Sequence, residues 1–151
     1  MKFQIKSTSS NNTEQIAEKI GKNLKGGEVL VLNSDLGGGK TTFTRGLLRG
    51  IGSDDTVSSP TFTISKIYLA NNLKIHHFDF YRLTEPGLIA NELAEVLNEK
   101  DNIIVIEWAD IVKNILPKNS VYINFDYDSE SARLINVIYN NEQGYLLRGL
   151  K

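Results

Sequence analysis

The apolar run Val29-Leu30-Val31-Leu32 leads, across Asn33, into Ser34-Asp35-Leu36-Gly37-Gly38-Gly39-Lys40-Thr41-Thr42. No other stretch limits the possible folds so strongly. The run is too short for a helix and suits a strand buried on both faces, as in a parallel sheet covered by helices. The consecutive glycines strip side chains from the turn that follows. Phe43, Leu47 and Leu48 then form the apolar stripe of a helix, closed by Gly50 and Gly52. This succession brings free N–H groups and the positive end of a helix dipole to the tip of a buried strand, an arrangement that holds anions. Gly39, Lys40 and Thr41 supply the second half of the phosphate-loop signature G-x-x-x-x-G-K-[ST], with Ser34 where the first glycine is expected.

A polyphosphate needs many donors close by and no side chains in the way. Backbone N–H groups of such a loop converge on it, Lys40 reaches the β/γ oxygens as a point charge, the Thr41 hydroxyl is a Mg²⁺ ligand and Thr42 touches the α-phosphate. The metal shell needs a carboxylate at the end of a neighbouring parallel strand. Glu107, after Ile103-Ile104-Val105-Ile106, is the candidate; a solvated strand end is the plainer reading. Asp79 is the second acid. The two-residue period puts Leu73, Ile75, His77, Asp79 and Tyr81 on one face and His76, Phe78 and Phe80 on the other. If the phosphates lie opposite, Asp79 orients water or the outer metal shell; pairing with Arg82 at a sheet edge is the alternative. His77 is a candidate base, or a hydrogen-bonded structural histidine. In Ser58-Ser59-Pro60-Thr61-Phe62, a hydroxyl on the loop can sense a γ-phosphate as switch threonines do, or the segment is a plain loop before a strand. Trp108 covers the site or simply packs.

The remainder reads as α/β, with a parallel centre and antiparallel strands added. Lys2 to Lys6 alternates as a short strand, and Asn12 is a helix N-cap with Gln15 at the reciprocal position, Gly26-Gly27 ending that helix. Thr61 to Leu69 and Leu73 to Tyr81 form strands joined at Asn71-Asn72. Thr84 caps a third helix carrying Ile89, Leu93, Val96 and Leu97. Val121 to Tyr127 and Leu134 to Tyr139 close the chain as a hairpin around Asp128 to Ser131. At 151 residues one domain is expected, residues 1–151. The balance of 17 basic against 18 acidic side chains argues against a dedicated nucleic-acid groove. Without cysteine there are no disulfides, thiolate zinc sites or cysteine nucleophiles. No apolar run approaches the ~20 residues that span a bilayer. A soluble, cytoplasmic protein is expected.

The motifs occur together in one family. The chain resembles TsaE, the bacterial ATPase of tRNA threonylcarbamoyladenosine biosynthesis. That family's loop usually reads G-D-L-G-A-G-K-T-T, matched from Ser34 to Thr42 apart from Ser34 and Gly38. Its S-P-T-[FY] element is Ser59-Pro60-Thr61-Phe62, its H-x-D-x-Y-R-L strand is His77 to Leu83, and its I-E-W motif is Ile106-Glu107-Trp108. After Leu83 a Leu-Gly pair is common in the family, and here Ala90-Asn91 stands instead. The resemblance implies a P-loop NTPase-like three-layer sandwich. It also implies ATP or ADP with Mg²⁺ held by the loop from Asp35 and Leu36 through Gly37, Gly38, Gly39, Lys40, Thr41 and Thr42. Metal ligands would be Thr41 and Glu107, with Asp79 nearby, and Thr61 and Asp79 would have functional roles. Base-side contacts fall to Asn12, Thr13 and Arg133. TsaB and TsaD are the implied partners, with tRNA reached only through them.

On this reading the chain is a slow ATPase: Lys40, Mg²⁺ and the loop amides neutralise charge on the β–γ bridge, and Asp79 or Glu107 positions water. No arginine finger lies near the loop, since Arg45 and Arg49 fall on the following helix, so partner stimulation is expected. One rival is a regulatory module that binds nucleotide without turnover. Another is a small-molecule kinase, for which one helix between Thr84 and Ile103 leaves little room for an acceptor pocket and lid.

Overall fold

The computed structural model describes residues 1–35 and 37–151. Its strands are β1 (Lys2–Ser7), β2 (Val29–Asn33), β3 (Ser65–Ala70), β4 (Leu73–Asp79), β5 (Asn102–Glu107), β6 (Val121–Tyr127) and β7 (Arg133–Ile138); its α-helices are α1 (Ser10–Asn23), α2 (Lys40–Ile51) and α3 (Ile89–Leu97). Short 3-10 segments occupy Ala109–Ile115 and Asn141–Leu147. One seven-stranded sheet has the order β1-β7-β6-β2-β5-β4-β3. Its centre, β6-β2-β5-β4, is parallel, while β3 and β7 are added antiparallel.

The apolar runs explain that centre. Alternate residues of β2 and β5 enter opposite cores, so the runs Val29 to Leu32 and Ile103 to Ile106 are apolar at every position. Leu30, Leu32, Ile103 and Val105 pack with Ile16, Ile20, Phe43 and Leu47 under α1 and α2. Val29, Val31, Ile104 and Ile106 pack with Leu93 of α3 and Val112 of the first 3-10 segment. The result is a three-layer α/β sandwich. No helix among the described residues is long and apolar enough to cross a membrane.

α1 and α2 touch backbone to backbone. A Cβ placed on Gly46 would lie 2.3 Å from the Glu14 carbonyl oxygen, and one on Gly50 2.4 Å from that of Glu18. A Cβ on Gly21 would fall 2.4 Å from the Leu47 carbonyl oxygen. Gly50, expected to close α2, therefore lies within it as a packing residue; Gly52 caps the helix.

Several boundaries differ from the sequence expectation. Ser9, not Asn12, caps α1, its Oγ accepting the Asn12 N–H at 3.0 Å, while Asn12 Oδ1 takes the Thr8 N–H. α1 ends at Asn23, short of Gly26-Gly27. β3 begins at Ser65 rather than Thr61, because the Ile64 N–H turns back to the Pro60 carbonyl and Ile64 sits at φ 70°. α3 starts at Ile89, a turn beyond the Thr84 cap site, its N-cap Leu88 offering no side-chain acceptor. The expected closing hairpin forms, and its first strand also joins the parallel centre beside β2.

Candidate active site

The strand order brings the carboxyl ends of β2, β5 and β4 side by side, where open α/β sheets bind their ligands. There a cleft of about 590 Å³ is lined by residues 37–42, Thr61, Asp79, Glu107 and Trp108, and also by Thr13 of α1 and Arg133 of β7. Gly39 is the N-cap of α2 at φ 105° and makes no side-chain cap, so the first N–H groups of that helix are left to the cleft. Gly37 has φ 75°. Both are left-handed conformations that favour glycine. Leu36, expected in the loop, lies outside the described residues.

Lys40 is buried, and its Nζ donates to the Ser34 carbonyl at 3.1 Å and lies 4.8 Å from the centre of the Trp108 ring. Burial pushes its pKa down, against the pull of Glu107, Asp79 and Asp35. Trp108 adopts a left-handed backbone conformation, φ 57°, uncommon for a bulky side chain, and its ring packs on Tyr81 at 4.9 Å. The indole thus forms the wall against which the ammonium is held.

Asp79 and Glu107 are register partners on adjacent parallel strands, and both are buried. Asp79 Oδ1 accepts the Tyr81 N–H at 2.9 Å, and Oδ2 accepts the Thr61 hydroxyl at 2.7 Å. Thr61 is in turn 2.8 Å from Ser59 Oγ, so the Ser-Pro-Thr loop is tied to the acid. Arg82, the alternative partner for Asp79, stacks on Phe62 instead. Glu107 Oε2 lies 2.6 Å from His77 Nε2, and His77 is fully buried behind the cleft, its Nδ1 without a partner. A histidine that does not line the cleft cannot act as base there; it holds the acid. Replacing His77 with leucine would leave a buried carboxylate one donor short, and is expected to cost about 1–3 kcal/mol in chemical denaturation.

Thr13 lines the cleft, its hydroxyl 2.6 Å from Ser7 Oγ. Asn12 does not line it, because the earlier start of α1 spends its side chain on Thr8. Arg133 lines the cleft with its guanidinium over the Tyr127 ring at 4.5 Å and Nη1 donating to the Ser129 and Ala132 carbonyls. Arg45 and Arg49 face away, paired with Glu14, and Arg49 also with Glu18. Sequence reasoning missed Ser9, Ser10, Tyr81, Glu130 and Ser131, which also line the cleft. Ser9 was detectable as a cap residue. Glu130 and Ser131 lie in a hairpin turn whose position over the cleft follows only from the sheet order.

A mixed α/β sheet whose parallel centre ends in a glycine-rich turn, a buried lysine and a helix N-terminus defines a P-loop-like fold. The family model described as "Threonylcarbamoyl adenosine biosynthesis protein TsaE" matches residues 7–135. Proteins named "tRNA threonylcarbamoyladenosine biosynthesis protein TsaE" are similar along most of the chain. That of Rickettsia felis is 33% identical, covering 92% of this chain and 81% of the relative. That of Haemophilus influenzae is 40% identical, covering 77% and 73%, and that of Bacillus subtilis 36%, covering 78% and 73%. The crystal structure of Bacillus subtilis YdiB superposes with a TM-score of 0.81 at 30% identity, over 99% of this chain and 94% of that one. The chain belongs to the TsaE family, and its role lies in tRNA threonylcarbamoyladenosine biosynthesis.

Proposed function

We propose that the chain binds ATP with Mg²⁺ and hydrolyses it slowly, serving the TsaB–TsaD pair in the modification of tRNA rather than making the modification itself. One observation carries this reading: a buried lysine, an uncapped helix N-terminus and two register-paired carboxylates converge on one cleft. The residues fit a metal–nucleotide pair. Left-handed glycines open the backbone toward the cleft, and the hard oxygen donors of Thr41 and Glu107 suit Mg²⁺, with Asp79 beside them. Bound there, Mg²⁺ would neutralise charge on the phosphate oxygens. Lys40 and the α2 N–H groups then add donors on the β–γ bridge, and Asp79 orients water. Thr13 and Arg133 remain the candidates for the base side.

Thr61 couples the site to a surface a partner can read. Its hydroxyl is held by Asp79 while the adjacent Phe62 is 83% exposed. Asp79→Asn is expected to slow single-turnover phosphate release by about 100-fold, since a positioned proton acceptor contributes on that order. The test of the whole is single-turnover ATP hydrolysis with and without TsaB–TsaD. Phosphate release that rises with the pair supports the proposal. Tight nucleotide binding with no release in either case leaves a regulatory binding module. That second reading draws on the engagement of Arg45 and Arg49 with α1, which withholds both from the phosphates.

A further inference from the structure

The segment from Ser53 to Pro60 has no regular structure of its own, so its backbone groups depend on partners supplied by its neighbours. Near its end they find one on β3, the last strand of the sheet. Tyr68 is 3% exposed, and its hydroxyl donates to the Ser58 carbonyl at 2.9 Å while accepting the Ser58 N–H at 3.2 Å. A single phenol oxygen thus fixes both main-chain groups of one residue. Burial pushes the Tyr68 pKa up, against the pull of its bonds to Ser58, so the proton it donates stays in place at neutral pH.

A stiff connection carries this grip to the cleft. Ser58 lies three residues before Thr61, and Pro60 between them locks its own φ and biases Ser59 toward extended backbone. Beyond Thr61 the chain turns back. The Ile64 N–H donates to the Pro60 carbonyl at 2.6 Å, and the Ile64 carbonyl accepts the Asp79 N–H at 2.8 Å. Ile64 stands at φ 70°, a conformation costly for a β-branched residue, which persists only where both ends of the turn are held. Asp79 holds one end and Tyr68 the other. We infer that Tyr68 is a positioning residue, setting the Thr61 hydroxyl on Asp79 through its grip on Ser58. The clasp stands on these contacts alone, whereas its kinetic consequence rests on the ATPase reading proposed above.

The test removes the oxygen and keeps the ring, which packs on His77 with 6.3 Å between centres. Tyr68→Phe, Thr61→Val and the double variant are compared in single-turnover phosphate release, with Mg–ADP affinity by calorimetry. Tyr68→Phe is expected to slow release by about 10-fold, the scale on which one lost hydrogen bond shifts a conformational balance. ADP, which has no γ-phosphate, is expected to bind as tightly as before. Added to Thr61→Val, Tyr68→Phe is expected to slow release by less than about 2-fold more, since both act through one contact. A further full 10-fold in the double variant, the scale of an independent hydrogen bond, overturns the inference. So does release at the natural rate in Tyr68→Phe, and so does an equal loss of ADP affinity, which marks a general structural role. If the natural protein releases no phosphate, the ATPase reading falls by itself and the clasp is read by hydrogen exchange. Ser58 and Ile64 amides exchanging about 10-fold faster in Tyr68→Phe, with β2 and β5 unchanged, uphold it. Unchanged exchange at Ile64, or acceleration throughout the sheet, overturns it.

Discussion

Lys40→Ala is expected to abolish ATP turnover and to weaken nucleotide binding by about 100-fold, roughly 2.7 kcal/mol. The ammonium belongs to the same cleft as the uncapped N–H groups of α2, and it is already oriented by the Ser34 carbonyl and the Trp108 ring. A pre-oriented donor loses little freedom on binding, so removing it forfeits most of its gross interaction. Lys40→Arg is expected to fail nearly as badly, because a planar fork does not fit a slot shaped for a point charge. The loss does not reflect unfolding. Burial holds the Lys40 pKa down, which means that the charged form costs the fold something, and alanine removes that cost. Calorimetry and single-turnover phosphate release, with a melting curve alongside, measure all three. Undiminished hydrolysis in Lys40→Ala would refute the loop assignment.

Gly46→Leu is expected to cost about 4 kcal/mol or more, a large share of the roughly 5–15 kcal/mol by which a domain is stable. The position is buried inside α2, where even a methyl would lie 2.3 Å from the Glu14 carbonyl and 2.6 Å from Ala17 Cβ. Neither neighbour can swing aside, since one is helix backbone and the other is the whole side chain of an alanine. Gly46→Ala is the sharper measurement. On an exposed helix that change gains about 0.5–1 kcal/mol from propensity, so a net loss in urea denaturation isolates the helix–helix overlap. A Gly46→Ala protein as stable as the natural one would show that α1 can back away, and with it Thr13 on the cleft wall.

The elements most legible in the sequence were those under two constraints at once. Val29 to Leu32 and Ile103 to Ile106 are continuous apolar runs because both faces of the sheet are covered, and both are central strands as read. The separation of Asp79 from Phe78 and Phe80 also stands, since a two-residue period survives any tertiary context. Boundaries set by distant partners were not legible. Thr61 has the composition of a strand residue, yet its hydroxyl is drawn to Asp79, and the chain must bend at Ile64 before pairing can begin. Gly46 and Gly21 look like poor helix residues until the second helix is laid on the first. The glycine loop, the acids and the Ser-Pro-Thr segment were each recognisable alone, but their convergence required the order β2-β5-β4, which no local pattern encodes.

The pairing of β4 with β5 aligns Asp79 with Glu107 on a single rung. Slipping that rung by one residue turns every side chain of the shifted strand to the opposite face, so Phe78 or Ile106 would project where an acid belongs. Misassembled copies would therefore be inert rather than impaired. On the ATPase reading proposed above, the specific activity of a preparation would count its correctly zipped molecules.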